Sequence, residues 1–224
     1  MRAALLVLFS LCACQAWAGE RLTDAEVVRG LKQALVQGAD MAVTQLGRED
    51  GFLGDPDVRI PLPESLARAD AFSRRIGMGR YSDQLIEAMN RAAEHAVTEA
   101  LPLLVTAVKQ MTLEDARGIL TGPDDAATLY FRQRTQVQLT ERFLPVVQRA
   151  TAQVHLADVY RQYAGRAARY GLMREDDADL DAYITRKTLD GLYATIAKEE
   201  RAIRRDPLGQ TALVLRRVFG TRLQ

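Results

Sequence analysis

The sequence predicts an all-α fold, a single-domain multi-helix bundle of about eight helices, some of them kinked at proline. Three observations carry this prediction. Apolar residues recur at three- and four-residue spacing along most of the chain, the period that gathers side chains on one face of a helix. Thr or Asp stands where such runs begin, and Gly or Pro where they end. No stretch alternates apolar and polar residues with the period of a strand.

The first segment is read separately from the fold. Arg2, the apolar run Ala3 to Leu11 broken only by Ser10, and Ala16-Trp17-Ala18 have the n-region, core and small-x-small cleavage site of an export signal. Residues 1–18 are therefore expected to be removed before Gly19, leaving residues 19–224 as one all-α domain in the periplasm. The apolar run is too short to span a bilayer. Leu11-Cys12-Ala13-Cys14 also has the outline of a lipobox that would lipidate Cys14, but Cys12 stands where such boxes usually carry a small or β-branched residue. Cleavage after Ala18 is the favoured reading, with a lipid anchor at Cys14 as the alternative. Both cysteines and Trp17, the single tryptophan, fall in this segment, so the mature chain is expected to have no thiol chemistry.

With Arg2 removed, 29 basic and 29 acidic side chains balance. A chain without net charge lacks the basic footprint of a general nucleic-acid binder. No second long apolar run follows, so no transmembrane span is expected. All but four of the basic residues (Lys32, Lys109, Lys187, Lys198) are arginine. Arginine suits bidentate anion contacts, although biased base composition explains the excess more simply.

From Thr23, residues Val27, Val28, Leu31, Leu35, Ala39, Val43 and Leu46 mark one helical face. Thr23 and Glu26 form a capping box, and Gly47 closes the helix. Residues 47–63, with three Gly and three Pro, form a loop in which Val58-Arg59-Ile60 is extended, because Pro61 disfavours the α region before it. A helix from about Pro63 to Ile76 carries Leu66, Ala69, Phe72 and Ile76; Gly77 and Gly79 mark the turn after it. The next helix starts near Ser82, buries Leu85, Met89, Ala92, Ala96 and Val97, and meets Pro102, where a kink or restart is expected before it continues to Met111. Thr112 and Asp115 open a short helix that stops at Thr121-Gly122-Pro123. Asp124 or Asp125 caps a helix bearing Leu129, Tyr130, Val137 and Leu139 until Pro145 interrupts it. Short helices follow through Val159 to Tyr170. Asp179 caps a helix with Leu180, Tyr183, Ile184, Leu189, Leu192, Tyr193 and Ile196, ending before Asp206-Pro207. A last helix spans about 208–219.

Residues Leu101–Asp115 and Leu144–Asp158 align without gaps at an offset of 43, sharing Leu, Pro, Ala, Gln, Leu and Asp. A true duplication would place two superimposable kinked corners in the fold. Shared helix grammar is the simpler explanation.

Chemistry-bearing motifs are scarce. Only Ser65, Ser73 and Ser82 remain as serine nucleophiles in the mature chain, none in a nucleophile elbow. The histidines, His95 and His155, follow Ala92 and Ala152 where a di-iron Glu-x-x-His would have Glu; His95 with Glu99 reads as a surface pair. Asp177, Asp179 and Asp181 alternate like calcium ligands, yet Ala182 and Thr188 occupy the positions of the turn Gly and bidentate Glu. Acidic residues at a helix start explain them better. Gly77-Met78-Gly79 follows a helix rather than a strand and reads as a helix–helix turn. Arg216, Arg217 and Arg222 beside Leu215 and Phe219 are able to touch anionic lipid, with packing on the bundle as the simpler reading. No cofactor, metal ligand or catalytic residue is indicated.

The densest polar segment is Met111 to Arg134, in which Asp115, Arg117, Asp124, Asp125, Tyr130, Arg132 and Arg134 surround a Gly-Pro turn. Capping and Arg–carboxylate pairing account for these residues, and they form the candidate functional surface.

LGREDGFLGDPDVRIPLPESL, MNRAAEHAV, MTLEDARGILTGPDDAATLYFR, RFLPVVQRAT and DLDAYITRKTLDGLY closely resemble the signature blocks of a bacterial exported family, domain of unknown function 4197, over about Gly30 to Gly220. The resemblance implies a helical envelope protein with a cleaved signal and transfers no catalytic residue.

Three functions are then open. The leading expectation is a non-enzymatic periplasmic protein binding an envelope partner or an apolar ligand in a groove between helices. An envelope enzyme would use Asp115, Asp124 or Asp125 as acid and base, which requires a raised pKa in a cleft. A structural or assembly factor would have a solid core and no ligand.

Overall fold

A computed structural model describes residues 23–75, 79–152, 157, 160 and 179–205. The export segment with Cys12, Cys14 and Trp17, the Gly77-Met78 turn, His155, Asp177, most of the expected short helices and the expected last helix lie outside the described residues. Within them the chain forms α1 (Asp24–Gly47), α2 (Glu64–Arg75), α3 (Arg80–Val97), a 3₁₀ turn (Thr98–Ala100), α4 (Leu101–Gln110), α5 (Leu113–Thr121), α6 (Ala126–Thr151) and α7 (Leu180–Arg205). The fold is all-α, with no strand among the described residues. Five of these helices run to twelve residues or more, so the eight or so expected are not all found among the described residues.

Local sequence sets the helix ends. Thr23 and Glu26 exchange side-chain and backbone hydrogen bonds at the start of α1, and Thr112 and Asp115 do the same at α5; both are capping boxes that satisfy amides otherwise left without partners. Asp179 accepts from the Ala182 amide at 3.0 Å ahead of α7. Asp181 turns inward, where it accepts from the Thr151 hydroxyl at 2.6 Å, so these two carboxylates belong to the start of a helix rather than to a calcium loop.

The two interior prolines have different outcomes. Pro102 falls in the first turn of α4, where its missing N–H costs nothing, and the chain restarts there through the 3₁₀ turn as expected. Pro145 was expected to interrupt its helix, but α6 continues through it to Thr151. The proline ring is exposed, so the carbonyl one turn earlier is open to water, while Leu139, Phe143 and Val147 remain buried on the opposite face and hold the helix together. The corner at Pro102 consequently has no counterpart at Pro145, and most of the second stretch after Ala152 lies outside the described residues. Leu129 and Val137, expected on the buried face of α6, point outward instead, Val137 with 72% of its surface exposed.

The core is organised around α7, whose buried residues run from Leu180 to Ile203. Glu200 accepts from the amides of Ala127 and Thr128 at 3.0 and 2.9 Å, Tyr193 meets Thr135 at 3.0 Å, and Asp181 meets Thr151. These pairings run in opposite order along the two chains, so α6 and α7 are antiparallel. On the other side, Lys32 of α1 donates to the carbonyls of Lys109 and Met111 at 3.3 and 2.8 Å, and Asp24 pairs with Arg117 at 2.8 Å, which sets α1 antiparallel to the α4–α5 path.

The loop at 48–63 is part of this core. Phe52, Ile60 and Leu62 are buried, and Asp50 adopts a left-handed conformation with φ 61°. The Asn90 side chain accepts from the Ile60 amide at 2.8 Å and donates to the Ile60 carbonyl at 3.0 Å. Glu94 accepts from the amides of Phe52 and Leu53 at 3.1 and 3.2 Å. Arg91 joins Glu94 to Asp50 at 2.7 and 2.8 Å, and Tyr183 donates to the Pro61 carbonyl at 3.0 Å. A segment without helical hydrogen bonds must satisfy its buried backbone groups in some other way, and α3 supplies the partners from its side chains. Gly191 of α7 completes the seat, since a Cβ there would stand 2.7 Å from the Phe52 ring.

Candidate functional site

The structure divides the residues expected to form one polar surface. Asp115, Tyr130 and Arg134 come together between α5 and α6: Arg134 reaches Asp115 at 3.6 Å and lies 5.6 Å from the centre of the Tyr130 ring. Arg117 turns away to Asp24 on α1. Arg132 lies on the α7 side of α6, at 3.7 Å from Asp190 and 4.7 Å from the Tyr193 ring centre. Asp124 is exposed in the turn, and Asp125 occupies the N-cap of α6 without a side-chain cap bond. Residues adjacent in sequence are thus spread around the α6 cylinder by its 100° step per residue.

Asp115 and Tyr130 border a shallow depression of about 360 Å³ with Glu114, the exposed Leu129 and Gln133. The polar groups of Asp115 and Tyr130 are already engaged. The Tyr130 hydroxyl donates to the Ala107 carbonyl at 2.8 Å, and burial, with the Asp115 charge in second place, pushes its phenol up. Hydrogen bonds from the Thr112 amide, assisted by its hydroxyl and by Arg134, hold the Asp115 carboxyl below its ordinary range. A general acid for neutral solution needs the opposite shift, so this carboxylate is a helix cap in its chemistry as well as its position.

His95 and Glu99 do not pair. His95 is exposed, and Glu99 faces Arg142 of α6 at 3.7 Å. Among the described residues no three His, Cys, Asp or Glu side chains gather as a metal site.

Two concavities that the sequence did not single out are better formed. The first is a groove of about 720 Å³ between α1 and α4. Val28 and Val36 of α1 face Leu101, Val105 and Val108 of α4 across it, and Arg29, Lys32 and Lys109 stand at its edge with Asp40. The Lys32 ammonium is used on the carbonyls that end α4, whereas Arg29 and Lys109 carry no ion pair among the described residues. A partial signal was present in the sequence: Val36 lies to one side of the Val28–Leu31–Leu35–Ala39 stripe, which widens the apolar face beyond what a single neighbouring helix covers. The facing wall, from the helix after Pro102, was not foreseeable from spacing.

The second is a cleft of about 290 Å³ between α6 and α7, with Arg132, Gln136, Thr140 and Leu144 on one side and Ala182, Thr185, Arg186, Leu189 and Asp190 on the other. Of these only Arg132 belongs to the expected surface. Gln136, Thr140 and Leu144 follow it along α6, whereas the α7 residues are tens of residues away and meet it only because α6 and α7 pair antiparallel.

No helix among the described residues is long and apolar enough to cross a membrane. A family model described as a protein of unknown function matches residues 21–220. No curated protein and no solved structure matches the chain.

Proposed function

The chain belongs to the DUF4197 family, proteins of unknown function, and from its grooves we propose that it is an exported, non-enzymatic binding protein whose ligand is an amphiphile with an apolar chain and an anionic head. The α1/α4 groove carries this reading. Its volume of about 720 Å³ lies within the roughly 300–1,000 Å³ of small-molecule sites. Its floor of valine and leucine suits a hydrocarbon chain, because burying that chain releases ordered water at both surfaces. Arg29 and Lys109 at the edge offer positive charge to the head, opposed by the single carboxylate of Asp40.

Export rests on Arg2, the apolar core and Ala16-Trp17-Ala18. Cleavage after Ala18 would release a mature chain from Gly19, whereas lipidation at Cys14 would tether it to a membrane. The intact mass of the mature protein distinguishes the two.

Binding is tested on protein purified from its native host, by organic extraction and mass spectrometry, and by displacement of a fluorescent fatty acid from the delipidated protein. A bound acyl lipid, with probe affinity reduced by about tenfold or more in Val105→Glu through burial of a charge, is the expected result. An empty extract, together with a probe that fails to bind or binds Val105→Glu equally well, would overturn the proposal. Val105 is half-buried, so folding of the variant is checked by its helical circular dichroism.

A further inference from the structure

We infer that the cleft between α6 and α7 is a second binding site, for a small organic monoanion that pairs a carboxylate with a short apolar body. The first observation is Thr185. Its residue is 1% exposed, it lines the cleft, and its hydroxyl has no hydrogen-bond partner. Buried hydroxyls are rarely left so. Two other threonines of the same helix show the ordinary solution, Thr188 donating to the Ile184 carbonyl at 2.8 Å and Thr195 to the Gly191 carbonyl at 2.9 Å. Thr185 does not take that option, and its hydroxyl is left without a partner just behind the cleft wall, closed to water, where a ligand pressed into that wall gives it an acceptor.

The second observation is the pair of arginines on the opposing walls. Arg132 lies 4.7 Å from the Tyr193 ring centre and Arg186 lies 5.7 Å from that of Tyr183. Contact with an aromatic ring orients a guanidinium without consuming its N–H donors. Arg186 has no carboxylate partner among the described residues, and Arg132 has only Asp190 at 3.7 Å, beyond hydrogen-bond reach. Both forks are therefore positioned and still free to bind a carboxylate in the bidentate manner.

Charge and shape narrow the ligand. The lining holds two guanidiniums and one carboxylate, a net positive charge that a monoanion neutralises and a dianion overshoots. Leu144 and Leu189 supply an apolar wall, and about 290 Å³ sits at the small end of ligand pockets. A short-chain carboxylate satisfies all of these: its oxygens take the guanidiniums and the Thr185 hydroxyl, and its chain lies on the leucines.

The test titrates the mature protein with hexanoate, hexyl phosphate and hexanol at one ionic strength, following binding by calorimetry and by NMR shifts of the Thr185 and Arg186 amides. Hexanoate is expected to bind saturably and more tightly than either competitor. Arg186→Gln and the near-isosteric Thr185→Val are each expected to weaken it, the first by about tenfold and the second by about three- to tenfold. Val105→Glu, in the α1/α4 groove, leaves the shifts of the Thr185 and Arg186 amides on adding hexanoate unchanged, which separates this site from the amphiphile groove. Loss of those shifts in Val105→Glu, absence of saturation, or equal affinity in Thr185→Val and Arg186→Gln would overturn the inference. Tighter binding of hexyl phosphate would overturn the assignment to a monoanion. Thr185→Val removes an unsatisfied group and is expected to fold at least as well as the parent, so lost binding is not lost folding.

Discussion

Replacing Glu94 by alanine should loosen the loop at 48–63 more than any other single truncation of a charged residue in α3. Glu94 is 4% exposed and accepts from two loop amides and from Arg91. Three losses follow in Glu94→Ala. The Phe52 amide, beneath a fully buried residue, is left without a partner at a cost of about 1–3 kcal/mol. The half-buried Leu53 amide finds water more easily, and Arg91 keeps Asp50; together they add about 1 kcal/mol. The total is about 2–4 kcal/mol. For a chain of this size each kcal/mol lowers Tm by about 2–4 °C, so a fall of about 4–16 °C is expected. Urea unfolding followed by circular dichroism gives the free energy, and amide exchange at Phe52 and Leu53 shows where it is lost. Glu94→Gln retains one acceptor oxygen and should lose less than Glu94→Ala. Arg91→Ala should lose less still, about 1 kcal/mol or below, because Arg91 is partly exposed and such pairs contribute little. A loss below about 1 kcal/mol in Glu94→Ala, or an equal loss in Arg91→Ala, would refute the view that the carboxylate holds the loop by its amides.

Gly191→Ala should destabilise by about 1–3 kcal/mol through overpacking against the Phe52 ring, measured by the same urea titration. Pro145→Ala should stabilise by about 1–2 kcal/mol, since it restores a helical hydrogen bond and loses only the smaller entropic benefit of proline in the unfolded chain; no gain in Tm would count against a hydrogen bond lost at Pro145. Asp115 carries a pH prediction. Its folded pKa is depressed from the ordinary 3.8, first by the Thr112 amide, so its stabilisation is present above that value and is lost as pH falls through the lower folded one. The stability difference between the parent and Asp115→Asn should therefore be largest near neutrality and shrink below about pH 4, as read from Tm across an acid series.

How much was legible follows from the range of the interactions. Capping at Thr23 and Thr112, the restart at Pro102 and the irregular loop between Gly47 and Pro63 are set by neighbours a few residues apart, so spacing and residue type reveal them. Pro145 was misread for the complementary reason: the local penalty is real, but Phe143 and Val147 bury against other helices and outweigh it. The expected polar surface shared the same fault. Seven residues close in sequence were grouped, and a helix then dispersed Arg132 and Arg134 to different neighbours.

The sequence by itself determined that the chain is helical, where most helices begin, its near balance of charge and its membership of a family, because each depends on composition or on contacts within a turn or two. Tertiary structure alone decided which polar residues matter. Asn90 and Glu94 look like ordinary solvent-facing positions until the loop folds over them. Thr185 looks like any helical threonine until α6 pairs antiparallel with α7 and sets it in one cleft with Arg132. The physical reason is that burial and hydrogen-bond satisfaction are properties of the packed whole: a side chain's partner can lie 40 or 100 residues away, and no local period records it.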